Sequence, residues 1–220
     1  MCPMDSDHLL LNVAATCVGT HALGPGYRSA VWVQGCIFTC PGCISPNWIP
    51  QRTARLVSPQ DLCGELLEDK NVTGLTISGG EPMLQAEGLA CLVELARIKK
   101  DIDVICFTGY KMDELRLMSA NLGVPRFLRQ IDVLIDGQYI QELNDDLGLR
   151  GSSNQVIHYL TPRLVDVNFE TNPRHTEIRI MDGEMLFVGV PPKGVVSNVV
   201  KEVNQLSWKR SHRRYNHERS

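Results

Sequence analysis

Three cysteines fall within the single stretch Gly35-Cys36-Ile-Phe-Thr-Cys40-Pro-Gly-Cys43. So close a trio cannot pair off among itself, and thiolates are soft ligands, so the question is which metal group they hold. A structural zinc site wants four ligands in a closed tetrahedron, and Cys40-x2-Cys43 would serve as half of one. No second Cys-x2-Cys occurs, and His8, His21 and His158 have no ligand-like spacing to complete it. A cubane iron–sulfur cluster usually takes four cysteines; held by three, it keeps one iron open to a ligand the protein does not supply. Cys36, Cys40 and Cys43 therefore read as cluster ligands, with half of a zinc-binding module as the other reading.

A second stretch, Ser78-Gly79-Gly80-Glu81-Pro82, follows the apolar run Val72–Ile77. It could be a tight strand-to-helix turn and nothing more. Two glycines also let a ligand approach the main chain closely, and the acid beside them can accept hydrogen bonds from an ammonium group. Alone this motif is weak; beside the cysteine trio it is strong.

Both stretches need elements to position them. Residues 8–18 read as a strand, followed by a turn at Gly24-Pro-Gly-Tyr-Arg28. Ser29–Gln34 is a strand apolar enough to be buried on both faces, and it delivers the chain into the cysteine loop, which Asn47-Trp48 closes. Ser58-Pro59-Gln-Asp61 opens a helix with a cap, a proline in the first turn and an acid three residues on; that helix ends near Lys70. Val72–Ile77 is a strand, Glu87–Lys100 a helix, Val104–Phe107 a strand, Met112–Met118 a helix and Ile131–Ile135 a strand. Such alternation argues for a parallel sheet with helical crossovers, whose ligands sit at the carboxyl ends of the strands. The cysteine loop, Ser78–Glu81, Thr108-Gly109-Tyr110 and Asp136-Gly137 all fall at those ends. Past Arg150-Gly-Ser-Ser-Asn-Gln155 the character changes. Val156–Tyr159 makes a last strand, and Glu177–Ile180 with Leu186–Val190 make a hairpin through Asp182-Gly183.

The chain has 220 residues, is 43% hydrophobic and 21% charged, and carries a formal net charge of −3. Nothing in that balance directs it to nucleic acid, and no apolar run approaches the ~20 residues that span a bilayer. The start, residues 1–8, is polar and reads as frayed, without a signal peptide. Of eight cysteines, the five outside the trio (Cys2, Cys17, Cys63, Cys91 and Cys106) read as small buried hydrophobes rather than a disulfide framework. A reducing, cytoplasmic setting is expected. The basic end, residues 207–220, reads as a solvated tail.

The spacing Cys-x3-Cys-x2-Cys followed by Gly-Gly-Glu-Pro resembles the radical S-adenosylmethionine superfamily. Further segments are similar to its glycyl-radical activases, above all the branch that activates anaerobic ribonucleotide reductases. These are Gly24-Pro-Gly26 with Arg28, Cys40-Pro-Gly-Cys43, Thr108–Leu115, Asp132–Gly137 and Arg150–His158. The likeness covers roughly residues 8–160.

The resemblance implies an α/β fold, a partial (β/α)6-type barrel of parallel strands, with a C-terminal extension that holds the hairpin. It divides the chain into a core over 1–160, the extension over 161–206 and the tail over 207–220. It implies one [4Fe-4S] cluster on Cys36, Cys40 and Cys43, whose open iron is chelated by S-adenosyl-L-methionine. One electron then breaks the sulfonium bond, and the 5′-deoxyadenosyl radical takes a hydrogen atom from a substrate. Gly42, Ile44, Ser78, Gly79, Gly80, Glu81, Thr108 and Asp136 become the expected cofactor contacts. No side chain is expected to be catalytic in itself. The implied partners are a glycyl-radical enzyme and an electron donor such as flavodoxin or ferredoxin; direct action on a peptide or small molecule is the alternative. The sequence departs from the family at Gln138, where a lysine is usual, and at Glu81, where the reductase activases commonly have aspartate.

Overall fold

The computed structural model describes residues 9–118, 123–181 and 184–203. Residues 1–8, Asp182-Gly183 and the tail over 207–220, each assigned a role from sequence, lie outside the described residues. The fold is α/β around a seven-stranded mixed sheet ordered β3-β1-β2-β4-β5-β6-β7. The strands are β1 (Leu11–Thr20), β2 (Arg28–Val33), β3 (Arg55–Val57), β4 (Gly74–Gly79), β5 (Asp103–Phe107), β6 (Val133–Asp136) and β7 (Val156–Tyr159).

At the centre, β2, β4, β5 and β6 run parallel, as the alternation of strands and helices requires. The expected run of parallel strands stops there. The β1–β2, β1–β3 and β6–β7 pairs are antiparallel, and β3 and β7 form open edges rather than a closed barrel. The reason at β1–β2 is chain length: the few residues of the Gly24–Gly26 turn can only reverse the chain, whereas a parallel neighbour needs a crossover of a dozen residues or more.

Side-chain alternation sorts these strands into two faces. Val31, Val33, Leu75, Ile77, Val104, Cys106 and Leu134 point to one face. There they meet α1 (Pro59–Leu66), α2 (Ala86–Lys99) and α4 (Val124–Leu128) in one large core. Helix α1 starts as its sequence dictates, with Ser58 Oγ accepting from the Asp61 N–H at 3.1 Å and Pro59 in the first turn. It ends at Leu66 rather than near Lys70. The short α3 (Met112–Leu117) adds Met112 and Leu115 to the same core.

On the other face, Ala30 and Trp32 of β2 meet Cys17, Ala22, Leu23 and Val188, while Ile105, Val133 and Ile135 meet Leu164 and Phe169. The hairpin is present as β8 (Thr176–Met181) paired antiparallel with β9 (Glu184–Gly189), and residues 195–203 are helical. Among the described residues no helix is long and apolar enough to cross a membrane.

Away from the carboxyl ends of the strands, Arg28 is fully buried. Its Nε donates to Thr76 Oγ1 at 2.9 Å, its Nη2 to the Leu75 carbonyl at 2.7 Å, and its Nη1 pairs with Asp103. The Gly24–Arg28 segment is thus a staple across β2, β4 and β5. Buried charge is tolerated there because each donor has an acceptor.

Candidate active site

The cysteine loop leaves β2 at Gln34 and is closed at its neck by main-chain bonds. The Gly35 N–H donates to the Trp48 carbonyl at 2.9 Å, and Cys36 N–H to the Ile49 carbonyl at 3.0 Å. The Gln34 amide reaches the Pro50 carbonyl at 2.7 Å. Trp48 packs on Trp32 of β2, ring centroids 5.6 Å apart, so the neck is anchored to the sheet by an aromatic pair. Phe38, inside the loop, meets Tyr110 edge-on at 4.9 Å and so ties the loop to the end of β5.

Gly79-Gly80 docks against this neck. Gly79 has φ +114°, and a Cβ there would lie 2.3 Å from the Val33 nitrogen. A Cβ on Gly80 would lie 2.2 Å from the Gly35 carbonyl oxygen. The space that the two glycines free is therefore filled by β2 and the cysteine loop, which join through Gly80 N–H to Val33 O at 2.8 Å and Glu81 N–H to Gly35 O at 2.9 Å. The motif is first a joint that sets the cysteines beside the end of β4.

Glu81 is fully buried. Its Oε1 accepts from the Met83 N–H at 2.9 Å and the Thr108 hydroxyl at 2.8 Å, and its Oε2 from the Gly109 N–H at 2.8 Å. Burial dominates and pushes the carboxyl up to about 7, while these three donors pull it back. Three of roughly four lone-pair sites on a carboxylate are thus used to hold the β4 and β5 ends together.

Cys36, Cys40 and Cys43 line one cleft with Ile44, Ser78, Gly79, Gly80, Glu81 and Thr108. All three are free thiols and half-buried. Burial raises Cys36 to about 11, the neighbouring Glu81, Cys40 and Cys43 adding to it; burial raises Cys43 as well. Raised in this way, Cys36 and Cys43 favour the thiol until a cation offsets the thiolate charge, and they release protons when they bind it. Three soft donors on one cleft fit a cluster with an open iron. Among the described residues, no lysine, arginine or histidine lines the cleft. Ser45, Ser78 and the Gln138 amide line it and are neutral donors that a carboxylate could use. Trp32, Phe107 and Val190 give it apolar walls suited to a nucleoside and a thioether chain.

Two expected contacts lie elsewhere. Gly42 is in the loop with φ +71° and backs onto Gln141 rather than lining the cleft. Asp136 is 4% exposed and faces an adjoining groove; its Oδ2 accepts from the Met112 N–H at 2.6 Å and meets His158 Nε2 at 2.8 Å. Sequence reasoning missed Gln155, although it lay inside a quoted motif. Its Oε1 accepts from Gly151 N–H at 2.7 Å and its Nε2 donates to the Gly137 carbonyl at 2.7 Å, which fixes the loop carrying Gln138 and Tyr139 against the cleft. It also missed Leu23, Gly189 and Val190, which line the cleft from distant parts of the chain. Of the other cysteines, Cys17, Cys63 and Cys106 are free and buried, as expected. Cys91 is disulfide-bonded, against the expectation of a free thiol.

A family model described as a 4Fe-4S single cluster domain matches residues 22–158. The anaerobic ribonucleoside-triphosphate reductase-activating protein of Salmonella typhimurium is 36% identical over 151 residues, which are 62% of this chain and 91% of that protein. Its namesake in Vibrio cholerae is 38% identical over 148 residues, 63% of this chain and 91% of that protein. The pyruvate formate-lyase-activating enzyme of Listeria monocytogenes is 36% identical over 95 residues, 39% of this chain and 38% of that enzyme.

Proposed function

The chain belongs to the 4Fe-4S single-cluster family and, within it, to the radical S-adenosylmethionine activases of glycyl-radical enzymes, and from that premise we propose that it generates a glycyl radical on an anaerobic ribonucleoside-triphosphate reductase. As such an enzyme it uses a [4Fe-4S] cluster and S-adenosylmethionine; the zinc-module reading is set aside by the cluster-domain match.

The observation that carries the proposal is the convergence of three free thiols and the Gly79–Glu81 joint on one cleft at the carboxyl ends of β2 and β4. Cys36, Cys40 and Cys43 would hold the cluster. Gly79, Gly80 and Ser78 would border the methionine part of the cofactor, and Glu81 would support that border from behind with one lone pair to spare. Ile44 and Val190 would keep water from the cofactor's reactive carbon, and the protein's part is geometry and exclusion.

When bound on Cys36, Cys40 and Cys43, the cluster with S-adenosylmethionine would supply the hard chemistry, a one-electron reductive cleavage fed by a flavodoxin- or ferredoxin-class donor and coupled to hydrogen abstraction from a glycine Cα, with methionine, 5′-deoxyadenosine and a glycyl radical as products. The test is anaerobic reconstitution with iron and sulfide, followed by reductant, S-adenosylmethionine and the reductase of the source organism. A doublet electron spin resonance signal on the reductase is expected. Cofactor cleavage without that doublet would refute activation and leave an enzyme acting directly on a peptide or small molecule.

A further inference from the structure

Residues 161–181 and 184–190 lie past the end of the family match at residue 158, yet they are built into the reaction cleft. Arg174 is the weld. Its side chain is 1% exposed, and it donates to the Arg150 carbonyl at 2.7 Å, the Gly151 carbonyl at 3.2 Å and Asn144 Oδ1 at 2.9 Å. Gly151 is itself a cleft residue, so the guanidinium fastens this segment to a wall of the site. Further on, Val188 is fully buried against Leu23 and Trp32, and the next two residues, Gly189 and Val190, face the cleft. Leu164 and Phe169 cover Ile105, Val133 and Ile135. The face of the sheet that would otherwise open sideways onto the site is filled by the chain's own extension.

One broad approach stays free of the extension. A polar groove shares Gly109, Gln138 and Tyr139 with the cleft and continues past a rim of both charge signs, Lys111 and Arg116 with Asp113 and Glu114, to His158. Its amide and hydroxyl groups suit hydrogen bonding to an extended main chain. Lys111 is exposed, and the Arg116–Asp113 ion pair is 69% and 91% exposed. Such a pair is worth little, so its members can re-pair with an incoming charge.

We propose that residues 161–181 and 184–190 form a fixed side wall of the cleft, and that the partner's glycine-bearing loop enters as an extended segment through the groove between Lys111–Arg116 and Gln138–Tyr139. The proposal rests on the activase reading and adds the path of the substrate.

The test uses the full-length, cluster-loaded chain and its Lys111→Glu/Arg116→Glu variant. Both changes are on exposed side chains, so cofactor cleavage in the absence of the reductase should stay within about twofold of wild type. KM for the reductase should rise at least about tenfold, because reversing charge at a docking rim acts on encounter. Hydrogen exchange gives a second measurement: the reductase should slow exchange over residues 109–116 and 137–141 and leave β8 unchanged. A variant that activates the reductase as wild type does, or protection on β8 in place of the groove, would overturn the proposal. Failure of the activase reading looks different, because the wild-type protein itself would then give no doublet.

Discussion

The two faces of the central sheet are built from alternate residues of the same strands and are used for opposite ends. On the helix face, Leu62, Leu66, Leu75, Ile77, Leu89, Leu92, Val104 and Phe127 are all completely buried. That face is dry and closed, and each such side chain contributes about 1.5–3 kcal/mol. On the other face, Trp32 and Phe107 share a cleft with glycines, half-buried thiols and a buried carboxylate. Three unpaired thiols can be carried in this way, because the helix face supplies the stability that the cleft face spends on reactivity.

The contrast breaks most sharply at the cysteines. Cys36→Ala, Cys40→Ala and Cys43→Ala should each abolish cofactor cleavage and strip iron from the reconstituted protein. Cys63→Ala, on the helix face, should keep both and cost about 1 kcal/mol of stability. Iron analysis with a product assay decides it, and equal loss from Cys63 would erase the distinction between the faces.

Next in size is Leu92→Ala, which opens a cavity in the closed core and should cost about 2–5 kcal/mol in a urea titration. The fraction that stays folded should bind S-adenosylmethionine with unchanged affinity.

Glu81 sharpens the comparison through pH. Its folded pKa, about 7, lies above that of an unfolded glutamate, so the folded state holds the proton more tightly. The associated stabilisation is present in full below the unfolded value of about 4.3 and is lost as pH rises through about 7, on the order of 3 kcal/mol in all. Glu81→Gln does not titrate, so the wild type should lose stability relative to this variant between pH 5 and pH 8. Parallel urea-stability curves for the two proteins across that range would contradict the assignment.

The smallest effect is a pair of glycines. Gly79→Ala puts a Cβ against the Val33 main chain at positive φ, and should cost at least the about 1–3 kcal/mol of backbone strain and weaken cofactor binding. Gly64→Ala, in α1 with nothing within 4 Å of the added carbon, should stabilise by about 0.4–1 kcal/mol. Melting curves for both variants, with cofactor titration of the first, check the difference in sign.

Much of this was legible along the chain. The order of strands and helices from Arg28 to Asp136 follows the apolar runs and the Ser58 cap, because those signals are local. Strand β3 was not legible: it has three residues, Arg55, Leu56 and Val57, none of them fully buried, and is a strand only because β1 offers an edge. Helix α4 escaped too, since five residues with a proline among them carry no period to read. Gln155 sat in a visible motif, but its partners at Gly137 and Gly151 come together only through the β6–β7 pairing. The glycine pair was read correctly as a place of close approach, but the approaching group is the chain's own main chain.

Three soft thiol donors and the strand ends beside them could be read along the chain alone, because thiol spacing and apolar runs are properties of neighbouring residues. Tertiary structure alone decided that the Glu81 carboxylate faces inward to three protein donors, that Asp136 turns away from the cleft toward His158, and that a segment from the far end of the chain closes the cleft's side. Apart from the Met83 donor, a local cap two residues from Glu81, these depend on groups brought together across 20 to more than 150 residues by packing on a shared sheet, and no local pattern encodes such a meeting.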